Sequence, residues 1–233
     1  TFYNKHMAET LAFSTIPDQS KIDQLHILRD FKTSIQTING FKDHLNKDDL
    51  LLRFLHARKF NLDDTMKMFN DYVVWRNEHK IDDPFDYPEV EQVKKYFPHG
   101  YFRTDKQGRP IYIERPGVLD FKKLLEVTTI ERFLKYYIHC NEKLIHEIFP
   151  ACVEESGHHA GQTVYIIDLA GMGIGTCAPG VLDIIKEMAV IGKNYYPEKN
   201  AETYIVNTPW IFYGLWAIIS LWLNERTLSK IHI

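Results

Sequence analysis

The sequence predicts an α/β protein: a small N-terminal helical domain packed on a mixed, largely parallel β-sheet lobe. Three observations carry this prediction. The first third reads as successive amphipathic helices, with capping residues between them and no strand-like run. After an acidic, proline-containing connector, "IDDPFDYPEV" (81–90), short strand-like runs alternate with helical ones, the order that parallel pairing requires. Two of those runs, "TVYIIDLAG" and "TYIVNTP", read as two-sided strands, as in a sheet covered on both faces. The expected division is residues 1–80 for the helical domain and 81–233 for the lobe.

The elements follow in order. Residues 1 to about 20 form a mixed lead-in with no basic-then-apolar signal region. In "KIDQLHILRDFKTSIQ", Ile22, Leu25, Ile27, Leu28 and Phe31 recur at helical spacing, and Asn39-Gly40 ends the pattern. "NKDDLLLRFLHARKF" offers Asn46 as a cap, Asp48 and Asp49 in the first turn, and Leu51, Leu52, Phe54 and Leu55 as the apolar side. "NLDDTMKMFNDYVVWRNEHK" repeats the device, with Met66, Phe69, Val73 and Val74 at helical spacing. In the lobe, the turn "TDKQGR" leads into the strand "PIYIER" (110–115). A long helix starts near Thr128, "TVYIIDLAG" is a strand, and "PGVLDIIKEMAVIGKNYY" is a helix. "TYIVNTP" is again a strand, and "LSKIHI" reads as a last strand that stops abruptly at Ile233, so the C-terminal end is expected to be incomplete.

Between the last two strands lies "WIFYGLWAIISLWL" (210–223), fourteen residues without a charge, holding three of the four tryptophans. A membrane span needs about 20 apolar residues, and Pro209 and "NER" close this run on both sides. One continuous helix of about 20 Å is expected, either covered on every side, set in a membrane interface, or moving between the two.

Composition excludes several classes. A net charge of −3 argues against a nucleic-acid protein. Cys140, Cys152 and Cys177 show no paired spacing, which suits reduced thiols in a cytoplasmic protein that visits membranes. The turn Gly173-x-Gly175-x-x-Ala178 resembles a dinucleotide fingerprint. However, Pro179 stands where helix amides would face a phosphate, and the next strand ends in Asn207 rather than an acid. His158-His159 lacks a second paired motif, so no metal site is expected. No Gly-x-Ser-x-Gly elbow or other nucleophile set stands out, and no enzyme activity is expected.

Six separated segments, in order, resemble the CRAL-TRIO lipid-binding family, nearest to the fungal Sec-fourteen-type phosphatidylinositol transfer proteins. They are "LLRFLHARKF", "MFNDYVVWR", "TDKQGRPIYIER", "YIIDLAGMG", "NYYPEKNAETYIVNTPWIF" and "TLSKIHI". The resemblance implies a lipid cavity floored by the sheet and closed by a mobile gate helix. That gate falls on Trp210, Phe212, Leu215, Trp216, Ile219 and Trp222. It implies that phosphatidylinositol is held through its headgroup by Arg58, Lys59, Glu198, Thr227 and Lys230, the last expected within the final strand. A second-lipid pocket corresponds to Tyr101, Tyr112, Asn141, Thr163, Tyr165 and Gly192. Asn141 stands in place of a family tyrosine, Tyr165 in place of a small hydroxyl residue and Gly192 in place of a serine. The second ligand is therefore expected to be a sterol or a phospholipid other than phosphatidylcholine. No cofactor beyond bound lipid is implied. The expected partners are phosphatidylinositol, the second lipid and, transiently, a membrane surface, Golgi or endosomal by resemblance. A monomer is expected, with a dimer through exposed gates as the alternative state. The competing readings are a membrane-recruitment module of a signalling protein and a nucleotide-dependent oxidoreductase.

Overall fold

The computed structural model describes residues 19–157, 161–173 and 179–233. The chain forms two compact units that divide between Asp83 and Pro84.

The N-terminal unit contains α1 (Gln19–Ser34), α2 (Asp48–Ala57) and α3 (Leu62–Glu78). Leu28 and Phe31 of α1, Leu51, Phe54 and Leu55 of α2, and Phe69, Tyr72 and Val73 of α3 are buried. Phe69 is the hub, with Phe31 and Phe54 set edge-on at 5.4 and 5.1 Å. Asn61 caps α3 as its sequence suggests, its side chain accepting from the Asp64 amide at 3.0 Å. Asn46 does not cap α2. Its amide closes the preceding turn onto the Asp43 carbonyl, and Lys47 takes the cap position without a side-chain bond. On α3 the buried stripe runs through Met68, Phe69, Tyr72, Val73 and Trp75, so Val74 faces solvent rather than joining the core.

The C-terminal unit is built on a five-stranded sheet of order β1-β2-β3-β4-β5: β1 (His99–Thr104), β2 (Pro110–Glu114), β3 (Thr163–Asp168), β4 (Asn200–Val206) and β5 (Ile231–His232). β1 and β2 are antiparallel, joined by the expected turn, and the other pairs are parallel. Helix α4 (Val90–Tyr96) precedes the sheet. Between β2 and β3 lie α5 (Phe121–Val127), α6 (Ile130–Lys143), a π-helical turn and α7 (Phe149–Ser156). Helix α8 (Pro179–Tyr195) connects β3 to β4, and α9 (Trp210–Ile219) and α10 (Glu225–Leu228) connect β4 to β5. Each parallel crossover advances the sheet by one strand in the same direction, so right-handed connections put the helices on one face. Gly117, just after β2, is required by close contact. A Cβ there would lie 2.3 Å from the Ala170 carbonyl oxygen in the turn after β3.

Four expectations change. β4 is one-sided: Ala201, Thr203 and Ile205 are buried, whereas Tyr204 and Val206 are exposed on the face without connecting helices. The helix at 210–223 is not continuous. It ends at Ile219 and closes with a 3-10 turn, Ser220–Trp222, because Asn224 must be extended to cap α10. That capped helix takes up Glu225–Leu228, so the last strand shrinks to Ile231–His232 and Lys230 lies in a turn, not a strand. β1, α4 and α5 carry no periodic signal strong enough to mark them in the sequence.

Candidate functional site

The register of the sheet creates the site. Tyr101 pairs with Tyr112, Tyr112 with Tyr165, Tyr165 with Thr203, and Thr203 with Ile231. Because strand side chains alternate, residues paired in one row share a face. All five line one cavity of about 390 Å³. Two residues further along, Glu114, Ile167 and Ile205 form a second row on the same face. The three tyrosine rings meet edge-to-face, with centroids 5.0 and 5.6 Å apart. Burial pushes all three phenols upward, so each remains a neutral hydroxyl.

The walls are helical. Phe121 and Leu124 come from α5, Phe133, Tyr137, Cys140 and Asn141 from α6, and Ile184, Ile185 and Met188 from α8. Helix α9 contributes Phe212, Leu215, Trp216 and Ile219, one stripe at helical spacing. Phe212 stacks on Trp216 at 6.0 Å and is 4% exposed. The opposite side of α9 is just as apolar yet uncovered: Trp210 is 82% exposed, Tyr213 62%, and Leu221 in the following turn 81%. Trp222 is half-buried and does not line the cavity.

One polar cluster interrupts this apolar lining. Lys199 Nζ donates to Tyr137 Oη at 3.0 Å and to Asn141 Oδ1. Tyr137 in turn donates to the Met188 carbonyl at 3.3 Å, and Asn141 Nδ2 donates to the Tyr137 carbonyl at 2.8 Å. Burial would depress the Lys199 ammonium, but Tyr137, Tyr165 and Glu114 together hold it above its ordinary value. Glu114 lines the cavity, and burial pushes its carboxyl up to about 7 against the downward pull of Lys199. Neither residue was singled out in the sequence. Glu114 was recoverable: it sits two residues from Tyr112, so it shares the face of a residue expected in the pocket.

The remaining expected pocket residues fall outside the lining. Thr163 is fully buried on the same side of β3 as Tyr165 but one row beyond the cavity, which it does not line. Gly192 also does not line it. It sits behind Tyr137, whose hydroxyl would be 3.4 Å from an added Cβ.

The expected headgroup residues fall in two places. On the lobe, Thr227 lines the cavity, and Glu198 pairs with Arg226 at 3.0 Å and Lys230 at 3.8 Å. Lys230 also donates to the Asn200 carbonyl at 2.7 Å. Glu198 holds a positive φ of 57°, a strained setting for a side-chain-bearing residue. On the N-terminal unit, Arg58 caps the C-terminus of α2 and Lys59 follows in a left-handed conformation, both exposed.

Among the described residues no group of His, Cys, Asp or Glu could hold a metal ion. His158, His159, Gly175, Cys177 and Ala178 lie outside the described residues, and with them the histidine pair and most of the fingerprint-like turn. Among the described residues no helix is long and apolar enough to cross a membrane.

Comparison with known proteins places this architecture. A model of the CRAL/TRIO domain matches residues 92–233, and one of the CRAL/TRIO N-terminal domain matches 17–71. The chain belongs to the CRAL/TRIO family. It is 41% identical over 197 residues to the Sec14 cytosolic factor of Schizosaccharomyces pombe, covering 83% of this chain and 68% of that protein. The SEC14 cytosolic factor of Kluyveromyces lactis is 35% identical over 225 residues, 95% of this chain and 74% of that one. Phosphatidylinositol/phosphatidylcholine transfer protein SFH4 of Arabidopsis thaliana is 36% identical over 222 residues. The chain spans 36% of SFH4 and 40% of its relative SFH9. The crystal structure of Sfh5 shares the CRAL/TRIO fold with a TM-score of 0.67 at 17% identity, covering 94% of this chain and 81% of that one.

Proposed function

We propose that this chain is a phosphatidylinositol-binding lipid transfer protein that moves single lipids between a membrane and its internal cavity without chemical change. One observation carries the reading. Helix α9 is apolar on every side, lays one stripe into the cavity and leaves the other uncovered. A carrier needs such a wall: it covers acyl chains when closed and rests in a membrane interface, which favours tryptophan, when the cavity opens. Each buried CH2 of a lipid is worth about 0.8 kcal/mol, so the cavity must offer apolar burial comparable to the bilayer it competes with. The names of the S. pombe and A. thaliana relatives, a cytosolic factor and phosphatidylinositol/phosphatidylcholine transfer proteins, support the same class and a cytosolic setting.

Glu198, Thr227 and Lys230 serve the inositol phosphate: Lys230 neutralises it, Thr227 donates a hydroxyl hydrogen bond, and Glu198 accepts from inositol hydroxyls or orients Lys230. The resemblance assigns Arg58 and Lys59 to the same headgroup, and their substitution is a separate test. The second ligand is a hydrophobic lipid other than phosphatidylcholine, because the Tyr165 ring fills space on the cavity floor.

A second reading is favoured by the small share of the plant relatives that the chain spans: a lipid-sensing recruitment module within a longer protein. Transfer of labelled phosphatidylinositol between donor and acceptor liposomes separates the two. A carrier speeds exchange in proportion to its concentration. Liposome binding without exchange would favour the module and refute the carrier.

A further inference from the structure

One carboxyl stands on the cavity floor. Glu114 shares its face of the sheet with Tyr112 and lines the cavity. Its row continues into Ile167 and Ile205, and it makes no hydrogen bond or ion pair with any described residue. Solvent reaches such a group while the cavity holds no lipid, and acyl chains replace the solvent on loading. A carboxylate pressed against hydrocarbon without a partner costs far more than its neutral acid.

The other groups that face this space do not offset that charge. On β1, His99 is paired with Glu114 in the same row. Its ring is held between the Phe97 carbonyl at 2.7 Å and the Tyr136 hydroxyl at 3.1 Å, and burial lowers its basicity, so it stays neutral. Tyr101, Tyr112 and Tyr165 are neutral phenols, and burial keeps Cys140 of α6 a thiol. Helices α5, α8 and α9 put no titratable side chain into the described lining. Arg115, next in the chain, turns to Asp168 at 3.2 Å. Lys199 is the cation of the described lining, but it bonds Tyr137 and Asn141, and Ile205, the β4 residue in the row of Glu114, lies six residues beyond it. Its pull on Glu114 is weaker than the effect of burial.

Resting on the carrier reading above, we propose that lipid loading is coupled to uptake of one proton, with Glu114 charged when solvent fills the cavity and held as the neutral acid under acyl chains. The proton comes from solvent: one O–H bond forms on the carboxylate, buffer base is left behind, and no other bond changes. Proton activity then sets how full the cavity is. Covering by lipid raises the carboxyl above its lipid-free value of about 7, so affinity is full below pH 7 and is lost as pH rises through the higher, covered value. Between the two values it falls about tenfold per pH unit. His99 titrates below this window, and Cys140, the three tyrosines and Lys199 above it.

The test loads the full chain, stripped of lipid, with radiolabelled phosphatidylinositol from liposomes at about pH 7 and about pH 8.5, a range in which the phosphodiester keeps its single charge. Loading should fall at least about fivefold between them, of the roughly thirtyfold that one coupled proton allows. Calorimetry in two buffers of different ionisation enthalpy counts the proton. A protonated-carboxyl C=O band in the infrared difference spectrum of loading places it on an acid rather than on a histidine or thiol. Glu114→Gln should load equally at both pH values and lack that band. Loading that does not change with pH, no proton uptake, or a pH dependence that survives Glu114→Gln would overturn the inference. Calorimetry and spectra are taken on the unaltered protein, so they do not depend on the variant folding. Loading without proton uptake defeats this inference alone, whereas no loading at any pH defeats the carrier reading itself.

Discussion

Replacing Trp210 and Leu221 together by alanine should uncouple membrane docking from folding. Both side chains are about four-fifths exposed, so neither holds the fold together. Fully burying a large apolar side chain gains about 1.5–3 kcal/mol. Four-fifths of that gain is still to be had at each position when α9 meets a bilayer, or about 2.4 kcal/mol for the pair at the lower end of the range. At 1.4 kcal/mol per factor of ten, the double variant should bind liposomes roughly fiftyfold more weakly. Its unfolding free energy should stay within about 0.5 kcal/mol of the parent, as for other surface changes. Liposome co-sedimentation and urea unfolding measure the two quantities. The opposite pattern, unchanged liposome binding with lost stability, would refute the argument, because it would mean these side chains are covered in the folded protein.

Other predictions follow from individual contacts. Glu114→Gln should remove a pH-dependent cost. With the folded carboxyl at about 7 and its ordinary value 4.5, the folded state binds the proton more tightly, so stability is lost as pH rises from about 4.5 to 7. In urea titrations of lipid-free protein the variant should match the parent at pH 4 and exceed it by up to about 3 kcal/mol at pH 8; identical pH profiles would show that Glu114 is solvated. Gly117→Ala forces a Cβ against the Ala170 carbonyl and should cost about 3 kcal/mol or more, read as a drop in melting temperature. Tyr165→Ser removes a ring from the cavity floor and should raise phosphatidylcholine transfer by roughly tenfold; no increase would mean that the ring does not exclude that lipid.

Much of this molecule was legible in its sequence because periodicity and capping are local properties. The α3 cap at Asn61, the strand Thr163–Asp168 and helix Pro179–Tyr195 all follow from residues within a turn or two of themselves. The expectations that failed depend on what lies further away. Asn46 has the chemistry of a cap, but the fold starts α2 one residue later, with Lys47 at the cap, and buries the Asn46 side-chain oxygen without a partner among the described residues. "TYIVN" is apolar enough for two covered faces, yet sequential strand order puts the connecting helices on only one. The polar cluster was the least legible part, since Lys199 stands in a charged stretch that reads as surface. Only the parallel register of β2, β3 and β4 brings that stretch beside the tyrosine row.

The account's central claim is that the lobe encloses an exchangeable lipid, and native mass spectrometry of the purified protein, followed by extraction and identification of whatever is bound, tests it most directly. The account predicts a one-to-one complex whose extracted lipid is phosphatidylinositol or a second hydrophobic lipid other than phosphatidylcholine, and whose mass changes on incubation with liposomes of another composition. Protein that carries no lipid, and takes none up from liposomes, would contradict it and return helix α9 to the role of an ordinary cover for a hydrophobic core.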